Sequence, residues 1–237
     1  MIVFEGQKYF HLLSPETNFT WVPQDIKVID PTVDVATIGY GWPKIVQISA
    51  FEFLLVGGNV LNEQRTSQHG VTDCLKLNTK TCRLTKIASL PTGKMASQVI
   101  YIPPETGYIR QTRNKSNFKL PSGFTSGEKN EFIFAKRQEI TQDRLGYVYC
   151  MAGRAVNDQL CKKTYVYNIA ADTWTEKADC PRGLISFNMV PFSNKYILLV
   201  ANGSEYDYGR RDYEEYHDVY DYKEDKWIKV YNDTENS

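Results

Sequence analysis

An all-β chain built from repeated small antiparallel sheets is the fold class this sequence predicts, and three observations predict it. First, one phrase occurs twice near the C-terminal end. One copy reads YVYCMAG and then YVYNIAADTWTEKADCPR (147–153 and 165–182); the other reads YILLVANG and then HDVYDYKEDKWIKV (196–203 and 217–230). In each, a β-rich run ends in Gly, a polar loop follows, and Val-Tyr-Asn/Asp leads through a turn to Trp. Tyr167 and Trp174 stand 7 positions apart, as do Tyr220 and Trp227. Second, runs of this kind recur along the chain. With Val56, Ile109, Tyr149 and Leu199 as markers, the intervals are 53, 40 and 50 residues, the spacing of stacked units that cannot bury their apolar faces alone. Third, aromatic content is 13%, with 16 Tyr against 4 Met; Tyr-rich and β-branched runs between Gly, Pro, Asn and Asp favour strands over helices.

The elements follow in order. LLSPETNFTW (12–21) reads as two strands joined by a Pro-Glu-Thr-Asn turn. KIVQIS (44–49) and FEFLLVGG (51–58) form a pair, and TDCLKLNTKTCRLTKI (72–87) supplies a second hairpin, giving four strands in one unit. ASQVIYI (96–102) and the weaker TGYIRQ (106–111) open the next unit, whose remainder, 111–130, is polar and turn-like. EFIFAKRQEI (131–140) with GYVYCMAG (146–153), then SFNMVPF (186–192) with KYILLVANG (195–203), open the last two units. The expected division is a half unit at 8–28, units at 44–90 and 96–130 (degenerate), and units at 131–182 and 186–230, all in one domain over 1–237.

These phrases resemble the kelch repeat of β-propellers, in which Gly-Gly ends a blade's second strand, Tyr lies on the third and Trp on the fourth. The matching positions are Gly153, Tyr167 and Trp174 in one unit, and Gly203, Tyr220 and Trp227 in the next. An earlier unit has Gly57-Gly58, with Leu75 at the Tyr position and Cys82 at the Trp position; Trp21 falls one position late. The resemblance implies an all-β, kelch-type β-propeller. Four to five blades of four-stranded antiparallel sheet fall short of the six or seven such rings usually need. An incomplete ring, entered in mid-blade and completed by another chain, is therefore expected, since unclosed sheets leave wet faces. Gly suits close backbone approach and positive φ; Trp combines large apolar area with an N–H that needs an acceptor.

Charge narrows the function. Lys+Arg and Asp+Glu each total 28, which speaks against general nucleic-acid binding. No apolar run is long enough to cross a bilayer, and the N-terminus has no secretory pattern, so neither membrane insertion nor secretion is expected and the expected location is cytoplasmic. The five cysteines include no CxxC pair and the three histidines, His11, His69 and His217, have no ligand spacing. No metal, cofactor or catalytic residue is assigned, and the chain is not expected to be an enzyme.

Binding remains. SEYDYGRRDYEEYHD (204–218) combines Tyr206, Tyr208 and Tyr213 with Arg210 and Arg211, residue types enriched at interface hot spots. The equivalent loops at 59–70 and 154–163 add Arg65, His69, Arg154 and Lys162. In the kelch resemblance these loops crowd one face of the disk, where partners bind. The expected function is a non-catalytic protein-interaction scaffold or accessory subunit of a larger protein assembly. The resemblance carries two alternatives, a kelch adaptor recognising substrates for ubiquitin ligation and a propeller enzyme of the copper-radical oxidase type.

Overall fold

A computed structural model describes residues 2–5, 9–13, 18–33, 43–61, 68–104, 145–155, 159–185, 187–192, 194–202 and 215–229. Among the described residues every regular element is a strand, and no helix is long and apolar enough to cross a membrane.

The first sheet is a three-stranded meander of β1 (Ile2–Glu5), β2 (Tyr9–Leu12) and β3 (Val22–Asp25). It therefore starts before residue 8, where the expected half unit began. Pairing of Leu12 with Val22 leaves Trp21 outside the ladder and 41% exposed. The second sheet contains β4 (Val28–Ile29), β5 (Lys44–Gln47), β6 (Glu52–Val56), β9 (Cys74–Asn78) and β10 (Arg83–Ile87), in the order β4-β10-β9-β6-β5. Between β6 and β9, β7 (Asn59–Leu61) and β8 (Gln68–Gly70) form a small ribbon.

The third sheet runs β11 (Gln98–Ile102), β12 (Tyr147–Met151), β13 (Thr164–Asn168) and β14 (Thr173–Lys177) in sequence order. The fourth does the same with β15 (Phe187–Phe192), β16 (Tyr196–Asn202), β17 (Glu215–Asp221) and β18 (Lys226–Lys229). Here the expected division changes. Gln98–Ile102 pairs directly with Tyr147–Met151, so 96–102 belongs with 147–177, and 131–140 is not the strand beside β12. Alternation explains the choice. Val99 and Tyr101 pack towards the second sheet while Ile100 and Ile102 pack towards the fourth, whereas EFIFAKRQEI breaks its pattern at Lys136-Arg137. Residues 105–144 lie outside the described residues.

One turn device recurs in three sheets. Asn78 Oδ1 accepts from the amides of Lys80 and Thr81, Asn168 Oδ1 from those of Ala170 and Ala171, and Asp221 Oδ1 from those of Lys223 and Glu224. Four residues after each acceptor the chain adopts positive φ, at Cys82 (52°), Asp172 (50°) and Asp225 (51°). The pairs just outside the turns are Leu77–Leu84, Tyr167–Trp174 and Tyr220–Trp227. The second sheet's counterparts of Tyr and Trp are therefore Leu77 and Leu84, two residues later than the expected Leu75 and Cys82. Cys82 occupies the turn position that Asp fills elsewhere.

Burial concentrates between successive sheets. Phe10 and Ile26 of the first meet Leu55, Leu75, Leu77 and Leu84 of the second. Leu54, Val56, Cys74 and Ile87 of the second meet Val148, Cys150, Tyr165 and Tyr167 of the third. Ile100, Tyr149, Met151 and Val166 of the third meet Ile197 and Tyr220 of the fourth. The described sheets thus stack face to face in chain order, and they do not close into a ring among the described residues.

Candidate interaction surface: seams, loop ends and faces

The repeated Tyr and Trp hold one sheet to the preceding one through a side-chain clasp. Trp174 Nε1 donates to the Ala88 carbonyl at 2.8 Å, the Ala88 amide donates to Asp172 Oδ1 at 2.8 Å, and the Tyr167 hydroxyl donates to the same oxygen at 2.6 Å. The next seam repeats it: Trp227 Nε1 to the Ala178 carbonyl at 3.1 Å, the Ala178 amide to Asp225 Oδ1 at 2.8 Å, and Tyr220 to that oxygen at 2.5 Å. Tyr and Trp ring centroids are 5.0 Å apart in both. Each clasp satisfies both backbone groups of one alanine just beyond the previous sheet's last strand, so no polar group is stranded as the aromatic rings are buried. Burial, and then the bond to an anionic acceptor, push the Tyr167 and Tyr220 hydroxyls well above the usual range. Burial alone would raise the Asp225 carboxyl too, but the Ala178 amide, the Tyr220 hydroxyl and nearby Lys177 hold it below its usual value.

The seam between first and second sheets has no such clasp, because Cys82 and Leu84 replace Asp and Trp. Backbone does the work there. The Lys27 amide donates to the Cys82 carbonyl at 2.9 Å and the Asp30 amide to the Leu84 carbonyl at 3.0 Å, adding β4 in parallel to β10. Asp30 fixes the turn that follows by accepting from the Thr32 amide and hydroxyl.

At the glycine ends of the sheets a second set of contacts repeats. Gly58 N–H donates to the Lys94 carbonyl and Leu90 N–H to Thr72; correspondingly, Gly153 N–H donates to Leu184 and Cys180 N–H to Lys162. Gly153 has φ +96°, and a Cβ there would lie 2.7 Å from the Met95 carbonyl oxygen and the Ser97 nitrogen, which is why Gly is required. The third strand reaches back at the same level: the Tyr165 hydroxyl donates to Thr92 Oγ1 at 3.1 Å, and Arg182 Nε donates to Asp218 Oδ2 at 3.2 Å. Asp218 is 1% exposed, so Arg182 supplies its countercharge. Lys94 is fully buried where the next repeat has Leu184; its ammonium lies 4.8 Å from the Tyr165 ring centroid and donates to the Lys163 carbonyl.

Two of the expected binding residues are seen at this end. Arg154 is half-buried, its backbone bridging Met95 and Leu160. Lys162 is exposed and its Nζ donates to the Pro181 carbonyl at 3.2 Å. His69 is in β8, paired with Val60. Arg65, Gly203, Tyr206, Tyr208, Arg210, Arg211 and Tyr213 lie outside the described residues, so their expected clustering has no counterpart here. Sequence reasoning missed the clasp carboxylates and the Arg182–Asp218 pair. The signal for the former was present: Asp-x-Trp occurs at 172–174 and at 225–227.

Away from the seams, a groove of about 550 Å³ separates the third and fourth sheets near Ile102, Pro104, Tyr147, Tyr149 and Tyr222. Among the described residues no group of three His, Cys, Asp or Glu could hold a metal ion. All five cysteines are free and buried. Burial pushes the Cys74 thiol up to about 12 and the Cys180 thiol to about 11, and raises Cys150. Such thiols stay protonated at neutral pH and make poor nucleophiles.

No family model matches the chain, and no curated protein matches it. Among solved structures it is similar to one described as "Structure of YjhT", with a TM-score of 0.57 at 12% sequence identity. The likeness covers 98% of this chain and 62% of that one; the chain spans under two thirds of the length of the structure it matches. At this identity the likeness concerns fold alone. It supports a propeller-like all-β chain of stacked antiparallel sheets.

Proposed function

We propose that the chain is a kelch-type β-propeller of incomplete ring, acting in the cytoplasm as a non-catalytic protein-interaction scaffold or accessory subunit of a larger protein assembly. The observation that carries this reading is the outward face of the fourth sheet. Val190 is 48% exposed, Phe192 61% and Ile228 38%, and they lie on one sheet rather than scattered singly. Such concentrated apolar exposure marks a surface that another molecule covers. The loops at 59–70, 154–163 and 204–218 form a second contact region in this reading, with Tyr and Arg as anchors inside a mixed-charge rim.

Affinity capture of the intact protein from its source, with capture by a Tyr206→Ala, Tyr208→Ala, Arg211→Ala triple variant beside it, tests both parts. The expected result is reproducible recovery of one or a few chains, reduced at least tenfold by the triple variant. Equal recovery by the variant would remove the rim loops from the reading. No reproducible partner for either form would overturn the scaffold itself.

A further inference from the structure

The groove between the third and fourth sheets is where this seam departs from the one before it. Its floor is a register row of the third sheet, Ile102, Tyr147, Asn168 and Thr173, with Val166 and Lys177 beside it. The matching row of the second sheet, aligned through the turn acceptors Asn78 and Asn168, contains Glu52, Asn78 and Arg83. There Lys76 Nζ reaches Glu52 at 3.7 Å, and Ile87 is buried in the core shared with the third sheet. In the later seam Val166 stands at the position of Lys76, Tyr147 at that of Glu52 and Lys177 at that of Ile87. The acid and its ion pair are gone, and a cation has taken the place of a core isoleucine.

The opposite wall changes in the same sense. The residues that follow the turn acceptors are Ile169 and Ala170 in the third sheet but Tyr222 and Lys223 in the fourth. Ile169 packs into the core of its seam; Tyr222 meets Tyr149 with ring centroids 6.0 Å apart and planes tilted by 49°. The space between the walls is about 550 Å³, inside the range of roughly 300–1,000 Å³ typical of small-molecule sites. Tyrosine rings with Pro103 and Pro104 make most of its apolar surface, and Tyr147 is 42% exposed. Lys177 and Lys223 also line it, and among the described residues no carboxylate does. Lys177 Nζ lies 3.7 Å from Asp225 Oδ2; an ammonium carries three donors, so that contact leaves it able to hold a second anion.

We propose that this groove binds a small aromatic carboxylate, its ring against Tyr147 and Tyr222 and its charge held by the lining lysines. A planar ring gains both apolar area and an offset or edge-on aromatic contact from such walls. Thr173 and Thr175 add hydroxyls along the same side, so a carboxylate seated there keeps hydrogen-bond donors around it. Charge selects the class. A cationic ligand would meet two ammonium groups, and a purely apolar one would desolvate them without giving them a partner. The site lies away from the rim loops and from the outward face of the fourth sheet, so it stands independently of the scaffold reading.

Isothermal titration of the full chain with naphthoate and with phenylacetate, each beside its uncharged amide, tests this. Both acids are expected to bind, and each amide to bind about tenfold more weakly or worse, the scale of one charge-assisted contact. Tyr147→Ala and Lys223→Gln are each expected to weaken the acids by a similar factor. Both side chains are exposed, so the fold is expected to hold, which thermal melts check; should the tyrosine variant unfold, the lysine variant reports alone. Phe192→Ala, on the outward face of the fourth sheet, is expected to leave binding unchanged. Equal affinity for acid and amide, or binding that survives the groove variants, would overturn the proposal. So would the absence of binding by either acid at millimolar concentration. Nuclear Overhauser contacts from the Tyr147 and Tyr222 rings to this chain's own residues 105–144 would overturn it too, since the groove would then be filled from within.

Discussion

Trp227 contributes to its seam in two separable ways, a packed indole beside Tyr220 and one hydrogen bond to the Ala178 carbonyl. Trp227→Phe keeps most of the area and strands the carbonyl, a loss of about 1–2 kcal/mol. Trp227→Ala loses both and opens a cavity, a loss of about 3–5 kcal/mol. Urea unfolding of the two variants checks the ordering, and equal losses would mean that the indole is not seated at the seam. Asp225 makes the same clasp sensitive to acid. Its carboxyl is held below 3.8 in the folded chain, so its contribution is fully present above that value. As pH falls through the lower folded value the contribution is lost, because the unfolded chain takes up the proton first. Asp225→Asn should therefore flatten the acid limb of a stability–pH curve, read from thermal melts between neutral pH and the acid range. An unchanged limb would assign the acid sensitivity to other carboxylates.

The legibility of the elements divided by how local their cause is. β12 to β14 and β16 to β18 follow from alternating apolar runs, Gly stops and Asn or Asp turns, all within about thirty residues of one another, and the sequence reading placed them. The partner of β12 was misplaced, because ASQVIYI and EFIFAKRQEI both read as strands and only tertiary pairing distinguishes them. β1 and β4 were missed for a related reason: a four-residue and a two-residue strand hold their shape through neighbours, not propensity. The Leu75 and Cys82 assignment slipped by two residues because a 7-position spacing survives a shift that preserves strand parity; the Asn78 turn fixes the register, and its capping bonds are visible only in three dimensions. At the candidate surface, the loop residues were read from composition, while the Arg182–Asp218 contact joins residues 36 positions apart with no motif between them.

Two predictions belong to the elements. Gly153→Ala forces a Cβ against the backbone of Met95 and Ser97 at a φ that L residues rarely adopt; a loss of about 2 kcal/mol or more is expected from strain of this kind. Denaturant melts check it, and a loss near the few tenths typical of an exposed site would contradict the close approach. Arg182→Ala leaves the buried Asp218 carboxylate without its cation. Because Arg182 is itself partly exposed, the loss is set below that of a fully buried pair, at about 1–3 kcal/mol. Adding Asp218→Asn should recover part of it, and a double-mutant cycle showing no coupling would separate the two residues energetically.

At the scale of the whole molecule, the sheets form a directional stack. Among the described residues each seam buries the face of one sheet against the next, and Val190 and Ile228 on the outward face of the last sheet are exposed. A stack of this kind stabilises its interior sheets more than its last one, as in other arrays where stability is a sum of unit and neighbour terms. Burying that outward face would stabilise the fourth sheet by the same hydrophobic contribution that holds the third. The proposed scaffold reading draws on that asymmetry. The most direct measurement is the native mass, by light scattering, of the protein isolated intact from its source. The account predicts an assembly well above the 27.3 kDa of the single chain, containing at least one different polypeptide. A single species at 27.3 kDa from the source, with the fourth sheet as protected from hydrogen exchange as the third, would contradict it.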